Sequence, residues 1–210
     1  MKKISLLSFL VFGILTFTGC SESTSESSSE KEEVMYSYDE TSSILEWTAF
    51  KFTNKTGVKG TFNEISINGI SASNDPKELI ESLGFTIPTS SVETNDPDRN
   101  LKIATFFFGT ISTEELRGKV IKLRDDGKAE IEVKMNGIAK KVVGTYTLKD
   151  ALFVFNATID VLNWSADPGI QALNMQCIDN HTGTDGVIKL WSEVDLSFTT
   201  KLKTTESPNV

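Results

Sequence analysis

Asn136-Gly137 stands between two runs rich in β-branched and apolar residues, and it leaves little choice about what this chain can fold into. A two-residue hairpin turn of the favoured hand needs positive φ at both central residues, and Asn followed by Gly supplies it at little steric cost. Ala129–Met135 therefore turns back on Ile138–Leu148 as an antiparallel neighbour. Arg124–Lys128, with Asp126-Gly127 inside it, joins Lys119–Leu123 to the same meander. Lys149–Ala151 then leads into Leu152–Leu162, and the last strand, Gly186–Leu202, alternates Val194, Leu196, Phe198 and Thr200. No repeat of fixed period runs through the chain.

Two earlier runs change parity part-way. Ile44–Thr53 puts Leu45, Trp47 and Ala49 on one face and then presents Phe50 and Phe52. Val58–Ile67 alternates at Val58, Gly60 and Phe62, then shifts at Ile65 and Ile67. A switch within a strand implies a bulge or bend, which closing a barrel requires. Helical signals are short. Asp75-Pro76 before Lys77–Leu83 supplies a cap, a first-turn proline and an early Glu78. Asp98–Phe107 and the stretch opened by Asp167-Pro168 are the other candidates, the latter turning Ile170, Leu173 and Cys177 inward. The expectation is an all-β protein, an antiparallel barrel of about eight strands with short helical inserts.

The amino terminus has the order of an export signal. Lys2 and Lys3 precede the apolar run Ile4–Phe17, and the small residues Thr18 and Gly19 stand directly before Cys20. The run is shorter than the roughly 20 residues that span a bilayer, so 1–19 reads as a cleaved signal peptide. The small pair and cysteine resemble the lipobox of bacterial lipoproteins, with Phe17 where Leu is usual. That resemblance implies acylation of Cys20 and a membrane anchor in the cell envelope, facing the periplasm, on the outer membrane or exported to the surface. Ser21–Glu33 is almost wholly Ser, Thr, Glu and Lys, a composition with too little apolar surface to offset ordering entropy. Residues 20–33 are therefore expected to be a lipidated spacer, 34–203 one folded domain and 204–210 a tail.

Losing Lys2 and Lys3 lowers the basic count from 21 to 19 against 29 acidic residues, a net charge of −10. Only Arg99, Arg117 and Arg124 offer guanidinium forks, and they are scattered, which argues against nucleic acid as a partner. With Cys20 acylated, Cys177 has no disulfide partner. Asp96-Pro97-Asp98-Arg99-Asn100 begins like a calcium loop, but Leu101 stands where that turn needs Gly and Phe107 where it needs Glu. Asp98 reads instead as a helix cap and Asp96-Pro97 as a turn. Cys177 and His181 lie four apart and would meet on a helix, the spacing a thiol–imidazole pair needs. The chain has 1 histidine, so no zinc cage of His and Cys forms, and no metal or cofactor is expected.

Aromatic residues are the remaining signal, with 13 Phe and 3 Trp. A barrel of this size has an interior that side chains fill or that holds one small ligand. Trp47, Phe50, Phe62, Phe106, Phe153, Phe155, Trp164 and Trp191 are the candidates to line it.

Three stretches in order resemble the YceI-like, lipocalin-like domains of the bacterial periplasm. They are Trp47–Lys51 leading to Val58–Phe62, then Phe85–Thr94 with Asp98–Ile103 and Phe106-Phe107, then Lys134–Val142. The chain departs from the family pattern at Asn100, where Asp is usual beside Arg99, and in having no histidine in its first strands. The resemblance implies a long antiparallel barrel holding an amphiphilic, often polyisoprenoid-like molecule. The expected function is a non-enzymatic, membrane-tethered carrier of such a lipid. A structural lipoprotein with a packed barrel, or an enzyme using Cys177 and His181, stand as alternatives.

Overall fold

The computed structural model describes residues 34–206. The signal peptide 1–19, Cys20, the spacer 20–33 and residues 207–210 lie outside the described residues.

Asn136 and Gly137 adopt φ of 50° and 71°, the left-handed pair the turn requires. They join β8 (Lys128–Met135) to β9 (Ile138–Lys149), with Met135 opposite Ile138. Around this hairpin the chain builds an antiparallel meander from β7 (Glu115–Leu123) through β10 (Leu152–Asp160) to β11 (Leu190–Lys201). Next to β11 lie β2 (Ile44–Lys51) and β3 (Thr56–Phe62). On the far side of β7 lie β5 (Gly84–Pro88) and β4 (Ser66–Asn68).

The chain itself curls this sheet round. From β5 it passes through a 3-10 turn, Thr89–Ser91, into β6 (Val92–Glu93), which pairs with Thr61 and Phe62 of β3. One run thus ties β7 to β3, helped by Asn63 N–H donating to Ser91 O at 2.8 Å. The result is a curled ten-stranded sheet of lipocalin-like form, larger than the eight or so strands expected. A separate ribbon pairs β1 (Val34–Ser37) with β12 (Lys203–Glu206).

Parity behaves differently from expectation in one place. β2 keeps unbroken register with β3 from Trp47 opposite Gly60 to Lys51 opposite Thr56. The irregularity lies on its other neighbour, where Ala49 meets Val194 but Lys51 meets Leu190, so β11 carries the extra residues. Phe52 has left the strand, at φ 61° in the β2–β3 turn. Between β3 and β4 the chain breaks at Asn63–Glu64, which lets Ile65 and Ile67 face inward after Phe62.

Large rings lie flat over glycines of neighbouring strands. A Cβ on Gly60 would stand 2.2 Å from Trp47, one on Gly118 2.3 Å from Phe85, and one on Gly144 2.5 Å from Phe155. No side chain fits beneath those rings, and the glycines let them cover the sheet.

The helices follow their caps. Asp75 accepts from Lys77 N–H ahead of α1 (Pro76–Glu81), whose Leu79 and Ile80 are fully buried. Asp96, not Asp98, caps α2 (Pro97–Lys102) by accepting from Arg99 N–H at 3.1 Å. Asp98 pairs with Lys102 one turn on, at 2.6 Å. α2 continues as a π-helical turn, Ile103–Phe108, marked by Gly109 N–H donating to Ala104 O. α3 (Asp167–Gln176) and α4 (Ile178–His181) follow β10, after a 3-10 turn at Val161–Trp164. α3 lies close against the π-turn at Gly169, where a Cβ would be 2.8 Å from Phe107 O.

Candidate functional site

The inward positions of the sheet surround a cavity of about 240 Å³. Alternation explains most of its wall: Ile131, Val133 and Met135 from β8, Phe153, Phe155 and Ile159 from β10, and Val194, Leu196 and Phe198 from β11. The helical side adds Ile103, Phe107 and Phe108 from the π-turn and Ile170 and Leu173 from α3. A π-turn sets residues five apart on one face, which brings Phe108 inward with Ile103; such turns cluster at functional sites. Every residue bordering the cavity is aliphatic, aromatic or methionine.

The indole N–H groups add no polarity to it. Trp47 Nε1 donates to Thr61 O at 3.2 Å, and Trp191 Nε1 to Phe52 O at 2.7 Å. With those donors engaged, the interior presents hydrocarbon and ring faces to any occupant.

Of the eight aromatic candidates, Trp47, Phe62, Phe153, Phe155 and Trp191 border the cavity. Phe50, Phe106 and Trp164 do not. Phe50 faces the other side of β2, with the Lys55 ammonium 5.9 Å from its ring centre. Phe106 is one residue short of the inward pair Phe107 and Phe108, whose rings meet edge-on at 5.0 Å. Trp164 is 1 % exposed but belongs to the packed core beside the Asn136 turn. The aliphatic majority of the wall was readable as alternation, yet nothing local distinguishes an inward residue facing space from one facing a neighbour.

At one edge of the cavity wall, where β2 stops and β11 begins, Leu190 pairs with Lys51 and Trp191 borders the cavity. Phe52, strained by its positive φ, donates its N–H to Lys189 O at 3.0 Å and accepts from Trp191, which over-determines its conformation. Lys51 Nζ reaches Asn180 O at 2.9 Å, and Thr53 donates to Asp185 at 2.6 Å. These bonds stitch the β2–β3 turn to α4 and the 182–189 loop.

Cys177 and His181 are both buried. Their side chains share no hydrogen bond among the described residues; His181 N–H donates to Cys177 O at 2.9 Å, a backbone contact. The imidazole Nδ1 instead meets Asn174 Oδ1 at 2.8 Å. Burial pushes the Cys177 thiol up, against the pull of Lys102. Burial also holds the His181 imidazole down, to about 4, with the Lys51 ammonium adding to the effect. Thiol and imidazole are thus both neutral at pH 7, the reverse of an activated nucleophile pair. Among the described residues no group of three or more His, Cys, Asp or Glu side chains is placed to hold a metal ion.

His181 has a consequence for stability. Free imidazole titrates near 6.5, so below that pH the unfolded chain takes up a proton that the folded chain refuses until about 4. Stability from this residue is complete above pH 6.5 and falls as pH drops through that window, by on the order of 2–3 kcal/mol. Urea unfolding at pH 7 and pH 4.5 checks it: His181→Gln flattens the difference, and an unchanged slope contradicts the assignment.

A curled antiparallel sheet around an apolar cavity defines a lipocalin-like barrel fold. Residues 36–202 match the model of the YceI-like domain, and the chain belongs to that family. A polyisoprenoid binding domain from Saccharophagus degradans, implicated in plant cell wall breakdown, is similar in structure at TM-score 0.57 and 15 % identity, over 84 % of this chain and 100 % of that one. Burkholderia cenocepacia BcnA is similar at TM-score 0.54 and 16 % identity, over 80 % and 99 % of the two chains. No curated protein matches the chain.

Proposed function

We propose that this protein is a membrane-tethered lipoprotein that takes the apolar part of an amphiphilic, polyisoprenoid-like lipid into its barrel and carries it without chemical change. The observation that carries this reading is the cavity of about 240 Å³ with no polar residue on its wall. An apolar chain entering it gains roughly 0.8 kcal/mol per buried methylene, so about seven contribute on the order of 5–6 kcal/mol before the cost of association. The volume lies just under the usual ~300–1,000 Å³ of small-molecule sites, which suits one stretch of chain and leaves the head group at the opening. That the S. degradans domain is described as binding polyisoprenoid supports the same ligand class.

The tether rests on sequence. Cys20 behind Thr18-Gly19 is the acylation site, and the polar residues 21–33 separate it from the barrel. None of the described helices is long and apolar enough to cross a membrane, and acyl chains on Cys20 would provide the attachment. The place of action is the cell envelope, on the outer membrane or facing the periplasm.

Farnesol, a short isoprenoid, tests the binding. Titrated into lipid-stripped protein, it is expected to change the fluorescence of Trp47 and Trp191 saturably, with a Kd of roughly 0.1 mM or weaker. A linear, unsaturable response removes the proposal.

A further inference from the structure

Lys51, Lys55 and Lys189 gather round Trp191 and the Phe52 it bonds, at the edge of a cavity whose own wall is entirely apolar. Lys55 Nζ lies 4.4 Å and Lys189 Nζ 4.5 Å from the centre of the Trp191 ring, so two ammoniums sit against one indole. Trp191 also borders the cavity and is only half-buried, so both charges lie between the cavity wall and solvent. Lys51 Nζ stands 4.6 Å from the ring of Phe52, whose carbonyl receives the Trp191 N–H.

The acidic groups nearby are mostly occupied. Glu193 pairs with Lys55, and Asp185 accepts from Thr53 and from Val187 N–H. Among the described residues Lys189 has no carboxylate partner, and Lys51 has a backbone carbonyl. On a chain of formal charge −8, two half-buried ammoniums without carboxylate partners beside a hydrocarbon pocket stand out.

We infer that Trp191 with Lys51, Lys55 and Lys189 forms a rim that receives an anionic head group, so the ligand is a single-chain amphiphile ending in a phosphate or carboxylate. The inference rests on the binding reading above and deepens it. The apolar chain enters past Trp191, and the head group stays between the ammoniums, close to water. Lysine suits the role, as a compact charge on a flexible stem that follows a head group of any shape.

The test compares decyl phosphate, decanoate, 1-decanol and decyltrimethylammonium on the full chain, stripped of lipid, by calorimetry. At low salt decyl phosphate is expected to bind about tenfold tighter than 1-decanol, a gap that exposed charge contacts supply together. Decanoate falls between them if any anion suffices, and matches 1-decanol if the rim selects phosphate; either outcome keeps the anionic rim. At about 0.5 M salt the gap narrows to roughly twofold. Lys189→Gln and the double variant Lys51→Gln/Lys189→Gln lower the advantage of decyl phosphate over 1-decanol stepwise. Equal affinity for all four probes overturns the rim, as does a phosphate preference that survives both the substitutions and salt. Absence of binding by every probe is a different failure, since it overturns the binding reading itself.

Discussion

Trp164→Ala is expected to destabilise the domain by about 3–5 kcal/mol, a large share of the 5–15 kcal/mol that holds a typical fold together. Trp164 is the largest of the fully buried side chains, 1 % exposed, at the end of the 3-10 turn Val161–Trp164. Its Nε1 donates to Val133 O at 3.0 Å, and its carbonyl accepts from the Asn136 side-chain amide at 2.9 Å. The Asn136 N–H in turn donates to Thr113 Oγ1 at 2.8 Å. One indole therefore locks the chain leaving β10 onto the β8–β9 turn, and its removal leaves a void that rigid strands cannot close. Trp164→Phe retains most of the packing, loses the hydrogen bond and is expected to cost about 1–2 kcal/mol. Urea unfolding of the three proteins gives that ranking. Equal midpoints for Ala and wild type contradict the placement of Trp164 in the core.

Ala49→Trp is expected to abolish ligand binding while the barrel stays folded. Ala49 borders the cavity from β2, between Val58 and Val194 on the flanking strands. An indole there occupies space that an apolar chain would use. Displacing four or five methylenes removes on the order of 3–4 kcal/mol, which weakens binding a hundredfold or more. Filling a cavity does not carry the usual cost of overpacking, so the unfolding midpoint stays near that of wild type or rises. Farnesol titration reads the first effect and urea the second. A variant that binds as wild type does places the ligand elsewhere.

How far the sequence alone reaches depends on the distance over which a feature is built. The Asn136-Gly137 turn, the alternating strands around it and the cap at Asp75 are local, and local propensity and final structure agree there. β1, β6 and β12 escaped notice because they are two to four residues long and pair with distant partners. The parity change near Phe50 points to an irregularity inside Ile44–Thr53, whereas the extra residues sit on β11, and side-chain parity cannot say which partner carries them.

The same limit governs the site. That Phe153 and Phe155 point inward follows from period-two alternation, as does the outward face of Phe50 once β2 is regular. That Trp164 packs solidly while Trp191 borders a cavity depends on how two chain segments cross. The rim is the clearest case: Trp191 and the carbonyl of Phe52 that it engages are 139 positions apart. No window of sequence contains both. What the composition did convey was the presence of 13 Phe and 3 Trp, which the fold divides between core, cavity and outer face.

A carrier of this kind holds an apolar molecule in its barrel. Native mass spectrometry of protein extracted gently from its own membranes measures this directly. The expected spectrum shows, beyond the mass of the acylated chain, a second non-covalent species that solvent extraction removes, that re-forms with an isoprenoid amphiphile and that Ala49→Trp lacks. A single species at the chain mass before and after extraction, with no adduct formed on adding lipid, would contradict it.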